Sequence, residues 1–123
     1  MALARILAVG AVFDLAFAGA IWLAPRASAA LLGLELPPDP VYLRLCGILL
    51  AILGGIYAAA ARAPERYPAV APVSAAGRLA GCLLLAAAWV SGHPTAFLVL
   101  GLADLAIGLA TFVAWRRAVA LSG

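Results

Sequence analysis

Four long apolar stretches, separated by short polar or proline-rich segments, dominate this sequence. They cover residues 3–24, 41–61, 73–91 and 95–115. Each approaches the ~20 residues that an α-helix needs to cross a hydrocarbon core of ~30 Å. Alanine and leucine fill the stretches without period-2 alternation, which excludes membrane-spanning strands. The sequence therefore predicts an all-α fold, a four-transmembrane-helix bundle that forms a single integral membrane domain over residues 1–123.

The overall composition leads to the same fold class. The chain is 67% hydrophobic and only 11% charged, whereas ordinary soluble domains are about half apolar and about a quarter charged. A water-soluble domain of 123 residues could not bury so much apolar surface. The bilayer is therefore expected to solvate most of the protein.

The arginines predict how the bundle is oriented. The net charge of +3 comes from eight arginines and no lysine, and most of them lie at helix ends. One predicted end carries the larger basic group, which is Arg5, Arg62, Arg66, Arg116 and Arg117, opposed only by Glu65. The other end carries Arg26 with Glu35 and Asp39. The positive-inside rule then predicts cytoplasmic N- and C-termini in the bacterial inner (plasma) membrane. Anionic lipid headgroups explain these arginines better than nucleic acid does.

Four charged residues interrupt the apolar stretches, one in each: Asp14, Arg44, Arg78 and Asp104. An ionised side chain in hydrocarbon costs at least a few kcal/mol, so such residues are retained when they are paired or functional. The two acids and two bases together sum to zero charge. We therefore expect an intramembrane charge network, with Arg44 paired to Asp104 and Arg78 paired to Asp14.

Small residues near these charges predict the helix contacts. Membrane helices approach each other closely where glycine and alanine line the interface. Helical spacing places such residues on the same faces as the charges. On the second helix the predicted contact face descends from Arg44 through Gly47 and Gly55. The predicted helix-contact residues are Gly10, Gly47, Gly55, Gly81 and Gly108.

The expected network has two interpretations. Interior ion pairs can determine which helix packs against which. Alternatively, the same groups can form a polar site for a proton, an anion or a ligand headgroup.

The residues required for common catalytic chemistry are missing from the sequence. His93 is the only histidine, and it lies in a predicted turn. Cys46 and Cys82 are far apart in sequence, so they do not form the CxxC pair typical of redox sites. No serine has a nearby candidate general base. We therefore expect no enzyme activity, no cofactor and no metal site.

Three segments carry a resemblance to a known family. The first helix ends in WLAPRA, the following connection reads LLGLELPP, and the second helix contains RLCGILLAILGGIY. In these features the chain resembles the small four-helix DoxX-like integral membrane proteins. The resemblance implies a small inner-membrane protein that in some cases is an accessory partner of oxidoreductases.

Two functional hypotheses follow from these observations. The leading one is a non-catalytic accessory or scaffold protein, whose partners are membrane lipids, other membrane proteins or further copies of itself. The alternative is a small proton-coupled transporter or carrier that uses Asp14 and Asp104. The chain is similar to the small multidrug transporters in length, in helix number and in the Asp14 carboxylate of the first helix. Intramembrane arginines oppose that comparison, because they would neutralise a carboxylate that has to bind cations.

Overall fold

The computed structural model describes all 123 residues and contains helices but no strands. The elements are α1 (Ala2–Leu23), α2 (Pro25–Leu32), α3 (Val41–Arg62), a 3₁₀ turn (Pro64–Arg66), α4 (Val70–Val90) and α5 (Thr95–Ser122). Helices α1, α3, α4 and α5 are each long and apolar enough to cross a membrane. The predicted all-α fold with four long apolar helices is confirmed.

The four long helices form two antiparallel pairs. In the first pair, Gly47 of α3 faces Trp22 of α1, and Gly54, two turns later, faces Leu15, nearer the start of α1. In the second pair, Gly101 of α5 faces Leu85 of α4, and Gly108, two turns later, faces Ala75, nearer the start of α4. Contacts between α1 and α5 join the pairs, and α3 touches α4 more lightly. A closed four-helix arrangement results, with a narrow interior.

Both chain termini lie at the same end of the bundle. Met1 and Ser122 line one shallow cavity together with Glu65 and Tyr67 of the connection between α3 and α4. We call this the termini end. At the opposite end, Gly33 after α2 lies beside Pro94 of the turn between α4 and α5.

Helix α4 begins three residues earlier than the sequence predicts. Pro72 lies in its first turn, where the missing N–H is one of the donors that would be unpaired anyway. The next residue, Val73, donates its backbone N–H to the Ala69 carbonyl at 3.2 Å. The earlier start moves Arg78 almost one turn further from the helix end. Helix α5 also differs, since it continues past residue 115 to Ser122.

Glycine is required where α2 ends. Gly33 has a φ of 68°, which a residue with a Cβ adopts only with strain. The Leu34 N–H donates to the Ala29 carbonyl at 2.8 Å and the Gly33 N–H donates to Ala30 at 3.2 Å. This Schellman motif ends the short helix and turns the chain toward α3.

Apolar side chains cover the outer surface, while small residues fill the interior. Only 16 of the 123 residues are buried, and most of the buried apolar ones are alanines. Large side chains point outward, including Leu23 at 88% and Val90 at 79% exposure. An exposed apolar surface of this extent is typical of a protein that lipid or a partner covers.

Candidate functional site: a buried Asp–Arg–Asp network

Three of the four predicted charges meet in the interior of the bundle. The Arg78 guanidinium of α4 lies between the carboxylates of Asp14 on α1 and Asp104 on α5. Its Nη2 donates to both Asp14 oxygens at 3.1 Å, and its Nη1 donates to Asp104 Oδ1 at 2.9 Å. Nη2 also lies 3.3 Å from the Gly10 carbonyl oxygen, which accepts a further bond.

The guanidinium also contacts two aromatic rings, one on α1 and one on α3. Its Cζ lies 5.6 Å from the ring centroid of Phe13 and 5.5 Å from that of Tyr57. Cations are attracted to aromatic faces at such distances, more strongly when both are removed from water. Arg78 therefore touches α1, α3 and α5 while belonging to α4. It is the one side chain in this site that links all four long helices.

The depth of each residue in its helix explains why these three charges meet. Arg78 lies about 12 Å along α4 and Asp14 about 18 Å along α1, both measured from the termini end at 1.5 Å per residue. Asp104 lies about 14 Å along α5, measured from the opposite end of the bundle, where α5 begins. All three are therefore near the middle of the bundle, within reach of one extended arginine.

Glycines provide the space that the network occupies. A Cβ on Gly10 would lie 3.1 Å from Arg78 Nη2, and one on Gly81 would lie 3.0 Å from Asp104 Oδ2. A Cβ on Gly108 would lie 3.2 Å from the Cβ of Arg78. Three of the predicted helix-contact glycines thus border the charge network, and Gly47 contacts Trp22 elsewhere on α1.

Arg44 is not a member of the network, so the expected Arg44–Asp104 pair is wrong. Its side chain is exposed, and its Cζ lies 5.8 Å from the ring centroid of Trp22. Arg44 is in the first turn of α3, near the α2 end, and it extends along the outside of the bundle. Asp104 is instead paired with Arg78.

Gly55 is not a helix contact, which corrects a second expectation. It is exposed, and a Cβ built on it meets no atom within 4 Å. The buried glycine is its neighbour Gly54, where a Cβ would lie 2.6 Å from Leu15 Cγ and 3.3 Å from the Ala11 carbonyl oxygen. The contact face of α3 comprises Gly47, Gly54, Tyr57 and Ala60.

Sequence reasoning missed Tyr57 as a partner of Arg78. Tyr57 lies near the end of an apolar stretch, where aromatic rings commonly occupy the headgroup level of the membrane. Tyr57 is three residues after Gly54 and therefore shares its helix face. Recognising Gly54 as the contact residue would have placed Tyr57 in the interior.

The network is not balanced in charge. Two carboxylates share one guanidinium, a formal charge of −1 when all three groups are ionised. The Asp14 and Arg78 side chains are 7% and 6% exposed, whereas Asp104 is 20% exposed. Asp104 Oδ2 accepts no hydrogen bond, and the buried Nε of Arg78 donates none. The two aspartates therefore occupy different environments despite sharing one partner.

None of the three main cavities is lined by Asp14, Arg78 or Asp104. These cavities lie along the outer grooves of the two helix pairs and at the termini end. No group of three His, Cys, Asp or Glu side chains is placed to hold a metal ion. Both salt bridges of the site join one helix to another.

We expect Asp14→Asn to destabilise the protein more than Asp104→Asn. Asp14→Asn replaces one of the two oxygens that accept from Nη2 with an amide NH2 in a drier environment, at a cost of about 2–3 kcal/mol, whereas Asp104→Asn keeps its single acceptor oxygen and loses only the charge, about 1 kcal/mol. Thermal unfolding of the two purified variants in the same detergent measures the difference. Equal losses, or a larger loss for Asp104→Asn, would contradict the asymmetry.

Comparisons with protein families, with curated proteins and with solved structures find no significant match to this chain.

Proposed function

We propose that this chain is a small integral protein of the bacterial inner membrane with a non-catalytic accessory or scaffold role. The observation that carries the proposal is the position of Arg78, buried where four apolar helices meet and bonded to two of them through carboxylates. Polar contacts of this kind hold membrane helices in one arrangement. The network maintains the bundle, and the outer faces remain available to lipids and protein partners.

The arginine distribution supports an orientation with both termini in the cytoplasm. Arg5, Arg62, Arg66, Arg116 and Arg117 lie on or beside the segments that form the termini end, and all five are exposed. An excess of arginine marks the cytoplasmic side of bacterial membrane proteins. The resemblance to the DoxX-like proteins agrees with this location and with an accessory role.

A small proton-coupled carrier is the second candidate, and one observation favours it. The network has a formal charge of −1, and the partly exposed Asp104 has an oxygen without a hydrogen bond. The closed surroundings of Asp14 and Arg78 give less support to a transport pathway.

Asp14→Asn distinguishes the two functions. If the protein is a scaffold, we expect Asp14→Asn to lower the folded yield and to weaken the co-purification of membrane partners in mild detergent. We also expect the wild-type protein to show no uptake in liposomes with an imposed pH gradient. Arg44→Gln, which changes an arginine outside the network, serves as the control and should leave yield and co-purification unchanged. A folded Asp14→Asn variant that loses a pH-driven uptake present in the wild type would contradict the scaffold proposal.

A further inference from the structure

A groove between α1 and α3 opens at the termini end and has an unusual lining. Its volume is about 440 Å³. Most of the lining is small and apolar, comprising Ala4, Ala8, Ala11, Val12, Leu15, Ala58 and Ala61. The two remaining lining residues are Arg5 and Arg62. The groove therefore combines an apolar floor with two positive charges at one end.

The two arginines are free to bind an anion. Both are exposed, and neither takes part in a salt bridge, since the two salt bridges of the structure both use Arg78. Arg5 lies in the first turn of α1, and Arg62 is the last residue of the antiparallel helix α3. Planar guanidinium groups bind phosphate oxygens in a bidentate manner, and a pair of them favours an anionic group.

The length of the groove matches one leaflet of a bilayer. Arg5 and Leu15 are separated by about 15 Å along α1, which equals half of a hydrocarbon core of ~30 Å. Leu15 lines the end of the groove nearest the middle of the bundle and packs directly against Gly54. A lipid whose phosphate lay beside the arginines could place one acyl chain along the alanine floor.

We propose that this groove is a binding site for one anionic phospholipid of the cytoplasmic leaflet. Arg5 and Arg62 bind the headgroup phosphate, and the alanines between them and Leu15 contact an acyl chain. A zwitterionic choline headgroup binds less well, because its ammonium group lies near two guanidinium groups. The inference rests on the proposed membrane location and adds to it a specific site and lipid class.

Native mass spectrometry of the purified chain with added lipid tests the site. Wild-type protein should retain phosphatidylglycerol about ten- to thirty-fold better than phosphatidylcholine, as expected for two arginines near an anionic lipid. The double variant Arg5→Gln/Arg62→Gln should lose that preference. The matched control Arg116→Gln/Arg117→Gln removes the same charge from the same end and should keep it. If both double variants lost the preference for phosphatidylglycerol equally, the proposed site would be wrong, because the preference would then depend only on the total positive charge at this end.

The apolar part of the groove is tested separately with the arginines intact. Ala8→Leu fills the groove and should reduce retained phosphatidylglycerol at least about five-fold. Ala16→Leu, an exposed position on α1 outside the groove, should have no effect. Unchanged retention in Ala8→Leu would refute acyl-chain binding there. Carbonate extraction of the wild type from native membranes reports on the membrane location itself, so failure of that proposal is recognised independently.

Discussion

Replacing Arg78 with leucine is expected to prevent stable folding of the bundle. The change leaves two carboxylates facing each other in the interior, with Asp14 only 7% exposed. Removing one partner from a buried ionic group typically costs about 3–5 kcal/mol, since the remaining charge is uncompensated. That is a large part of the stability of a small protein. Size-exclusion chromatography after a temperature series in detergent measures the loss.

Two further variants separate this effect from simple loss of a side chain. Arg44→Leu removes an exposed arginine and should leave the unfolding temperature nearly unchanged. The triple variant Arg78→Leu/Asp14→Asn/Asp104→Asn removes all three charges and should recover part of the stability, because no ion then remains unpaired. If Arg78→Leu were as stable as Arg44→Leu, the network would not hold the helices together.

Gly54→Leu is expected to separate α1 from α3, whereas Gly55→Leu should be tolerated. A Cβ at position 54 would come within 2.6 Å of Leu15 Cγ, with the Ala11 carbonyl oxygen at 3.3 Å behind it. To relieve this steric overlap, the backbone at Ala11 has to move as well as the Leu15 side chain. Overpacking of this kind costs about 1–3 kcal/mol. At position 55 the Cβ meets nothing within 4 Å.

The neighbouring glycines form a matched pair, since both changes add the same side chain to the same helix. The measurement is the unfolding temperature of each variant in one detergent, together with cross-linking between cysteines placed on α1 and α3. Gly54→Leu should lower both the unfolding temperature and the cross-linking yield. A greater loss with Gly55→Leu would mean that α3 packs through a different face.

Sequence alone was sufficient to predict the number and type of the long elements. The apolar length of a segment is a property of that segment, so four stretches of about 20 residues predict four long helices regardless of their arrangement. The cost of an isolated charge in such a segment is equally local. This energetic cost correctly indicated that Asp14, Arg78 and Asp104 would need partners.

The identity of those partners was decided by tertiary structure. Arg44 and Arg78 are alike in sequence, each following the start of an apolar stretch. They differ in depth, because α4 begins at Val70 and this places Arg78 toward the middle of the bundle. They also differ in direction, because Arg78 lies on the inward face of its helix and is buried. The residue at which a helix begins depends on whether a nearby proline can be placed in its first turn. Amino-acid composition does not reveal this.

The same limit applies to Gly54 and Gly55. At 100° per residue, Gly54 lies within about 20° of the direction of Gly47, while Gly55 is about 80° away. Relative to Arg44, however, it is Gly55 that lies within about 20°, so spacing alone does not say whether the Arg44 face or the Gly47 face is the contact face. Only the packing of α3 against Leu15 of α1 selects one of them. Local chemistry thus determined which segments become helices and which charges need partners, while the rotation and depth of each helix, set by contacts between distant residues, determined which side chains meet.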